Sequence, residues 1–149
     1  MPEPADLVKE FERLAELVKT QLHLGYDAAS VKLLEGFIER NRAENPTGTN
    51  GLTNSLGAYL GQCIITCYGG SWAIDPETQA AAVAFDANNK VFPFSKTAKQ
   101  FENGLEDSVY SFFTVMPLVF KSLPPLPATS GNPPARPVAA GQKPWWKLW

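Results

Sequence analysis

Few residues in this chain can do chemistry, and their spacing decides what each can do. Cys63 and Cys67 lie four residues apart in a stretch of helical character. A helix puts them on one face but holds their Cα atoms near the upper end of the disulfide range with Cβ vectors roughly parallel, so they read as two reduced, core-packed thiols. The single histidine, His23, falls at the end of an amphipathic helix, where it favours the dipole. Without a second histidine or a cysteine–histidine cluster, no zinc or other metal site is expected. Glu106 and Asp107 could form a hydrolase pair, yet adjacent acids at a helix N-terminus are better explained by capping and the macrodipole. Gly69-Gly70-Ser71-Trp72 follows a helix and precedes a strand, whereas phosphate loops run from strand into helix. No nucleophile–base pairing is visible, so catalytic residues and cofactors are both expected to be none, and an enzyme or small-ligand domain is the weakest reading.

The strongest signal lies elsewhere. Lys143-Pro144-Trp145-Trp146-Lys147-Leu148-Trp149 holds three of the chain's four tryptophans. Tryptophan offers a large apolar body with one polar N–H, which suits a partner groove or a membrane–water interface, and lysine between the rings suits a negative surface. The partner-binding residues are therefore expected to be Lys143, Trp145, Trp146, Lys147, Leu148 and Trp149. Trp72 stands apart, at the start of a strand, and reads as a core anchor first and a body binding surface second.

Charge divides the chain in the same place. Residues 1–120 carry a formal −6 and residues 121–149 carry +4. An acidic body argues against nucleic acid as a partner, because phosphate neutralisation needs a basic face. The basic tail is drawn instead to an acidic protein, an anionic lipid surface or its own body. The acidic N-terminus has no apolar run of signal-peptide length and no stretch of about 18 apolar residues occurs, which makes cytoplasmic the default location.

The elements that must position these residues can be read from periodicity. Residues 6–23 place Leu7, Phe11, Leu14, Val18 and Leu22 along one helical face. Asp27 can cap a second helix to about Arg42, with Val31, Leu34, Phe37 and Ile38 inward. A third, from Thr53 to Tyr68, carries almost no charge and should be central, with Gly57 and Gly61 admitting another backbone. Gly69-Gly70 stops it. The period then becomes two: strands are expected over 71–75, 79–85 and 90–94, with Pro93 at an edge or strand end. Ser95 can cap a helix to Asn103, with Lys96 and Lys99 exposed and Ala98 and Phe101 inward. Glu106 or Asp107 opens a last helix through Tyr110, Phe112 and Phe113, which Pro117 kinks or ends. Seven of the chain's 13 prolines lie beyond Leu123, which fits an extended, disordered linker. The 21 residues from Leu123 to Lys143 could carry the tryptophans on the order of 60 Å.

Several stretches together resemble a group of uncharacterised small bacterial domains. They are Leu56-Gly57-Ala58-Tyr59-Leu60-Gly61-Gln62-Cys63, Tyr68-Gly69-Gly70-Ser71-Trp72, Phe92-Pro93-Phe94-Ser95-Lys96 and Gly104-Leu105-Glu106-Asp107-Ser108. In that group a glycine-spaced helix leads into a Gly-Gly-x-Trp turn, a short sheet, a Pro-Phe-x-Lys segment and a Gly-x-x-Asp-Ser helix start. The resemblance spans roughly residues 52–114 and leaves out the first helices and the tail. It implies an immunity-like binding protein, of the kind encoded beside toxin and secretion genes, more than an enzyme. Where the group often has an acid, this chain has Gln62.

The expectation is an α+β protein: N-terminal helices, a small antiparallel sheet of about three strands, C-terminal helices, then a disordered Pro-rich tail. Residues 1–121 form the globular domain, 122–143 the linker and 144–149 the docking peptide. The function expected is a non-enzymatic protein-interaction module, an adaptor or immunity-like protein. The alternative is a membrane-peripheral protein held by its Trp/Lys tail.

Overall fold

The computed structural model describes residues 4–44, 50–120 and 123. They fold as five helices and a three-stranded antiparallel sheet: α1 (Pro4–Leu22), α2 (Ala28–Glu44), α3 (Asn50–Tyr68), β1 (Ser71–Ile74), β2 (Ala81–Ala84), β3 (Lys90–Val91), α4 (Pro93–Asn103) and α5 (Val109–Val119), with a 3₁₀ turn over Gly104–Asp107. The α+β class and the order of elements match the sequence expectation.

α3 is the centre. It packs against α1 and α4 and touches α2 and β2, and Leu56, Tyr59, Leu60, Cys63 and Ile64 along it are fully buried. A helix with no charged side chain can be enclosed this way because nothing on it needs water. α1 lays Ala15 and Val18 on the core with Val8, Phe11 and Leu22 packed beside them. α2 starts as the sequence implies: Asp27 Oδ1 accepts the Ser30 N–H at 2.8 Å, satisfying one of the first-turn donors. Its Val31, Leu34 and Ile38 are buried.

The sheet runs β1-β2-β3, with Trp72 opposite Val83 and Val83 opposite Val91. The β1–β2 turn is built on Asp75, whose carboxylate accepts Thr78 N–H at 2.9 Å and Thr78 Oγ1 at 2.8 Å and also pairs with Lys90 Nζ. Lys90 on β3 thus ties the far edge of the sheet to that turn.

From the third strand onward the structure departs from the expectation. β3 ends at Val91, and Pro93 opens α4 rather than closing a strand. Proline fits a first helical position, where no N–H is needed and its φ is already set. Ser95 therefore lies inside the helix and caps nothing. The buried face is Pro93, Lys96, Thr97, Gln100 and Phe101, while Ala98 is exposed. An ammonium is costly to bury, which is why the sequence pattern places Lys96 outside, but Asp107 meets it inside at 3.3 Å. The last helix also begins later, at Val109. Ser108 caps it by accepting the Ser111 N–H at 3.1 Å, and Glu106 and Asp107 belong to the preceding turn. Pro117 does not end the helix at once, since α5 continues to Val119.

Candidate functional site

Gly57 and Gly61 of α3 each lie against an aromatic ring. Gly61 faces the indole of Trp72 so closely that a Cβ there would sit 2.1 Å from the ring, and a Cβ on Gly57 would meet the Phe94 ring at 2.6 Å and its Cα at 2.9 Å. Gly57 does admit a backbone, as expected, whereas Gly61 admits a ring. Phe11 from α1 joins them, with ring centroids 4.7 Å from Trp72 and 5.1 Å from Phe94. Trp72 and Phe94 are 5.7 Å apart, so the three rings form one tilted cluster in the range where aromatic edges and faces attract.

Beside this cluster a groove of about 490 Å³ opens between α1, the residues at the start of β2, the first turns of α3 and the start of α4. Phe11, Leu14, Ala81 and Phe94 make its apolar wall, and Glu10, Asn54 and Ser95 supply its polar atoms. Its lining is mainly apolar with a few polar groups at its edge. Glu10 is bonded to Arg13, whose Nε donates at 3.0 Å, and that contact holds the Glu10 carboxyl below its ordinary range.

A second cavity, about 350 Å³, lies on the other side of α4's first turn. It is basic: Lys90, Lys96 and Lys99 line it with Val91, Phe92 and Phe112. Lys90 is tied to Asp75 and Lys96 to Asp107, which neutralises most of its positive charge internally.

A third cluster is polar and buried. Ser108 Oγ donates to Glu35 Oε2, Lys32 Nζ donates to Glu35 Oε1 at 3.0 Å, and Gln100 Nε2 reaches Glu39 Oε2 at 2.9 Å. Gln100 Oε1 accepts the Val109 N–H at 2.8 Å. A serine on a carboxylate invites a catalytic reading, but Ser108 is buried and lines neither cavity, and its oxygen is already committed to capping α5. The network stitches α2, α4 and α5 together, and every buried side-chain N or O among the described residues has a partner.

Of the residues singled out by sequence, Lys143, Trp145, Trp146, Lys147, Leu148 and Trp149, and with them the 122–143 linker save Leu123, lie outside the described residues. Trp72 is 9% exposed and belongs to the core, its Nε1 donating to Gln62 Oε1 at 3.4 Å. His23 is exposed, in a left-handed conformation just past α1, with φ 56°. Cys63 is buried and free, and burial pushes its thiol well above the ordinary range; Cys67 is half-buried and raised for the same reason. Gly69-Gly70 is a turn from α3 into β1, with φ 92° and 91°. Glu106 is exposed, while Asp107 is buried, accepting from Asn103 Nδ2 at 2.6 Å as well as facing Lys96.

Among the described residues no group of three or more His, Cys, Asp or Glu could hold a metal ion, and no helix is long and apolar enough to cross a membrane. Sequence reasoning missed the groove and the Lys96–Asp107 pair. The one available signal was the spacing of Pro93, Lys96, Thr97, Gln100 and Phe101, which is helical once polar residues are allowed inside. No family model, curated protein or solved structure matches the chain, so the resemblance over residues 52–114 rests on its motifs alone.

Proposed function

We propose that the chain is a non-enzymatic protein-interaction module, an adaptor or immunity-like protein, whose Trp-rich C-terminal peptide docks onto a protein partner. The observation that carries this reading is the distribution of tryptophan. Trp72 is consumed in packing against Gly61, whereas Trp145, Trp146 and Trp149 stand in a short basic peptide beyond a proline-rich segment. Large aromatics concentrated this way are anchors for an interface. The helical body, its buried polar groups satisfied, supplies a firm support for such a peptide.

A buried tryptophan anchor contributes ~2 kcal/mol or more to binding, against well under ~1 kcal/mol for an exposed lysine. Capture from native cell extract, comparing wild type with Trp145→Ala/Trp146→Ala/Trp149→Ala and with Lys143→Ala/Lys147→Ala, separates the two. The tryptophan variant should lose the partner and the lysine variant should keep it with altered salt dependence. Retention of every protein by the tryptophan variant, with loss of affinity for anionic vesicles, would replace this reading with a membrane-peripheral one. Loss of neither would remove the tail from the functional site.

A further inference from the structure

We infer that the groove beside the Phe11–Trp72–Phe94 cluster is the resting seat of the chain's own residues 144–149, so that the tail is held on the body until a partner takes it. This rests on the reading of the tail as a docking peptide and adds where that peptide sits when no partner is bound.

Three observations select this occupant. The first is chemistry. An indole brings a large apolar face and one N–H donor, so a seat for it needs an apolar wall with a few acceptors at its edge. Phe11, Leu14 and Phe94 are that wall, and the Glu10 carboxylate, the Asn54 amide and the Ser95 hydroxyl are acceptors around it. The second is charge. The peptide carries Lys143 and Lys147, and the groove's one carboxylate, Glu10, is already paired with Arg13, so the attraction comes from the body as a whole. The other cavity is lined by three lysines and no carboxylate. The body through residue 120 is −6 and the chain beyond it is +4, which favours contact between them at any distance inside the screening length.

The third is reach. Leu123 is the last described residue, and its N–H donates to the Phe120 carbonyl at 3.0 Å, which fixes where the tail leaves the body. A folded unit of about 120 residues has a radius of gyration of roughly 14 Å. The residues from there to Lys143 can extend on the order of 60 Å, so the groove is within range whichever face α5 ends on. Tethering also supplies the peptide at a high effective concentration, which a modest intrinsic affinity can convert into high occupancy. A tail seated about nine-tenths of the time would weaken apparent partner affinity about tenfold, the cost of freeing it.

The test uses the full chain and NMR. Backbone amide shifts of wild type are compared with those of Trp145→Ala/Trp146→Ala/Trp149→Ala, a change that leaves the body's sequence untouched. The expected result is shifts concentrated at Phe11, Leu14, Asn54, Ala81 and Phe94, with indole-to-Phe11 and indole-to-Phe94 NOEs in wild type that persist on tenfold dilution. Asn54→Arg, at an exposed rim position, should abolish those NOEs while leaving the body's other shifts in place. No shift on the body, or shifts around Lys90 and Lys99 instead, overturns the inference. Groove shifts that fade on dilution together with a dimer in sedimentation overturn it in favour of a second copy as occupant. Groove contacts that fail while tryptophan-dependent capture persists remove only this seat. Groove contacts that hold while capture ignores the tryptophans remove only the partner reading.

Discussion

The hydroxyl of Tyr68 donates to the main-chain carbonyl of Phe113 at 2.6 Å, joining the end of α3 to the middle of α5. Phe113 is the residue four before Pro117, so in an uninterrupted helix its carbonyl would take the N–H of position 117. Proline has none. The phenol fills that vacancy, and burial raises the Tyr68 pKa well above its ordinary value, which keeps the donor protonated. This is how α5 carries an internal proline through to Val119.

Tyr68→Phe should therefore cost ~1–3 kcal/mol, the penalty for leaving a buried acceptor unpaired. In a Pro117→Ala background, where the helix supplies its own N–H, the same substitution should cost less than half as much. Urea denaturation of the four proteins in the cycle measures this, and an equal cost in both backgrounds would show that the proline and the phenol are unconnected.

Much of this fold was legible in the sequence wherever apolar residues alone set the pattern. The inward face of α2, the Asp27 cap, the enclosed α3, the three antiparallel strands and the Gly69 stop all follow from apolar period, capping residues and glycine. The α1 face turns slightly, laying Ala15 and Val8 on the core where Leu14 and Leu7 were expected. Legibility ended at α4. Its inner face carries Lys96, Thr97 and Gln100, residues that a hydrophobic pattern assigns to solvent. Thr97 is satisfied one turn back, by the Pro93 carbonyl, but Lys96 and Gln100 are inside because partners arrive from elsewhere in the chain: Asp107 for Lys96, Glu39 and the Val109 N–H for Gln100. Partners 9 to 61 residues away leave no mark on local periodicity. The groove was hidden for a related reason, since its lining comes from α1, α3, α4 and the start of β2, segments far apart in the chain.

The Lys96–Asp107 pair gives the second prediction. Their side chains are 3% and 2% exposed, so neither charge has water to fall back on. Asp107→Leu alone removes the carboxylate that pairs with the buried ammonium and should cost ~3–5 kcal/mol. Lys96→Met with Asp107→Leu removes both charges and should recover most of that loss. Chemical denaturation of the two single variants and the double variant decides it; strictly additive costs would mean that the charges do not depend on each other.

Asp75 predicts the acid response. Its carboxyl is lowered to about 2, first by the bond from Lys90 and then by those from Thr78. A group whose folded pKa lies below its unfolded value of about 3.9 stabilises the fold above that value, and the contribution is lost as pH falls through the folded pKa. Midpoints of urea unfolding should thus fall between about pH 4 and pH 2, and Asp75→Asn should flatten that part of the curve. Lys90→Met should reduce the slope without abolishing it, because the Thr78 donors stay. A wild-type slope that Asp75→Asn leaves unchanged would place the acid sensitivity elsewhere.

Gly61 sets two effects of opposite sign against each other. Alanine is favoured over glycine in a helix by about 1 kcal/mol, so on propensity alone Gly61→Ala should stabilise α3. The new Cβ would lie 2.1 Å from the Trp72 ring, however, and that ring is flanked by Phe11 and Phe94. Overpacking of this kind costs ~1–3 kcal/mol and sometimes more, so the clash should win and Gly61→Ala should lower the unfolding midpoint. Trp72→Leu removes the obstructing ring at the expense of a cavity, and in that background Gly61→Ala should turn neutral or stabilising as propensity reasserts itself. Thermal unfolding of all four proteins reads the sign directly. If Gly61→Ala destabilises equally with and without the indole, the close seating of Trp72 on α3 is not what forbids a side chain there, and the aromatic wall of the groove loses its anchor.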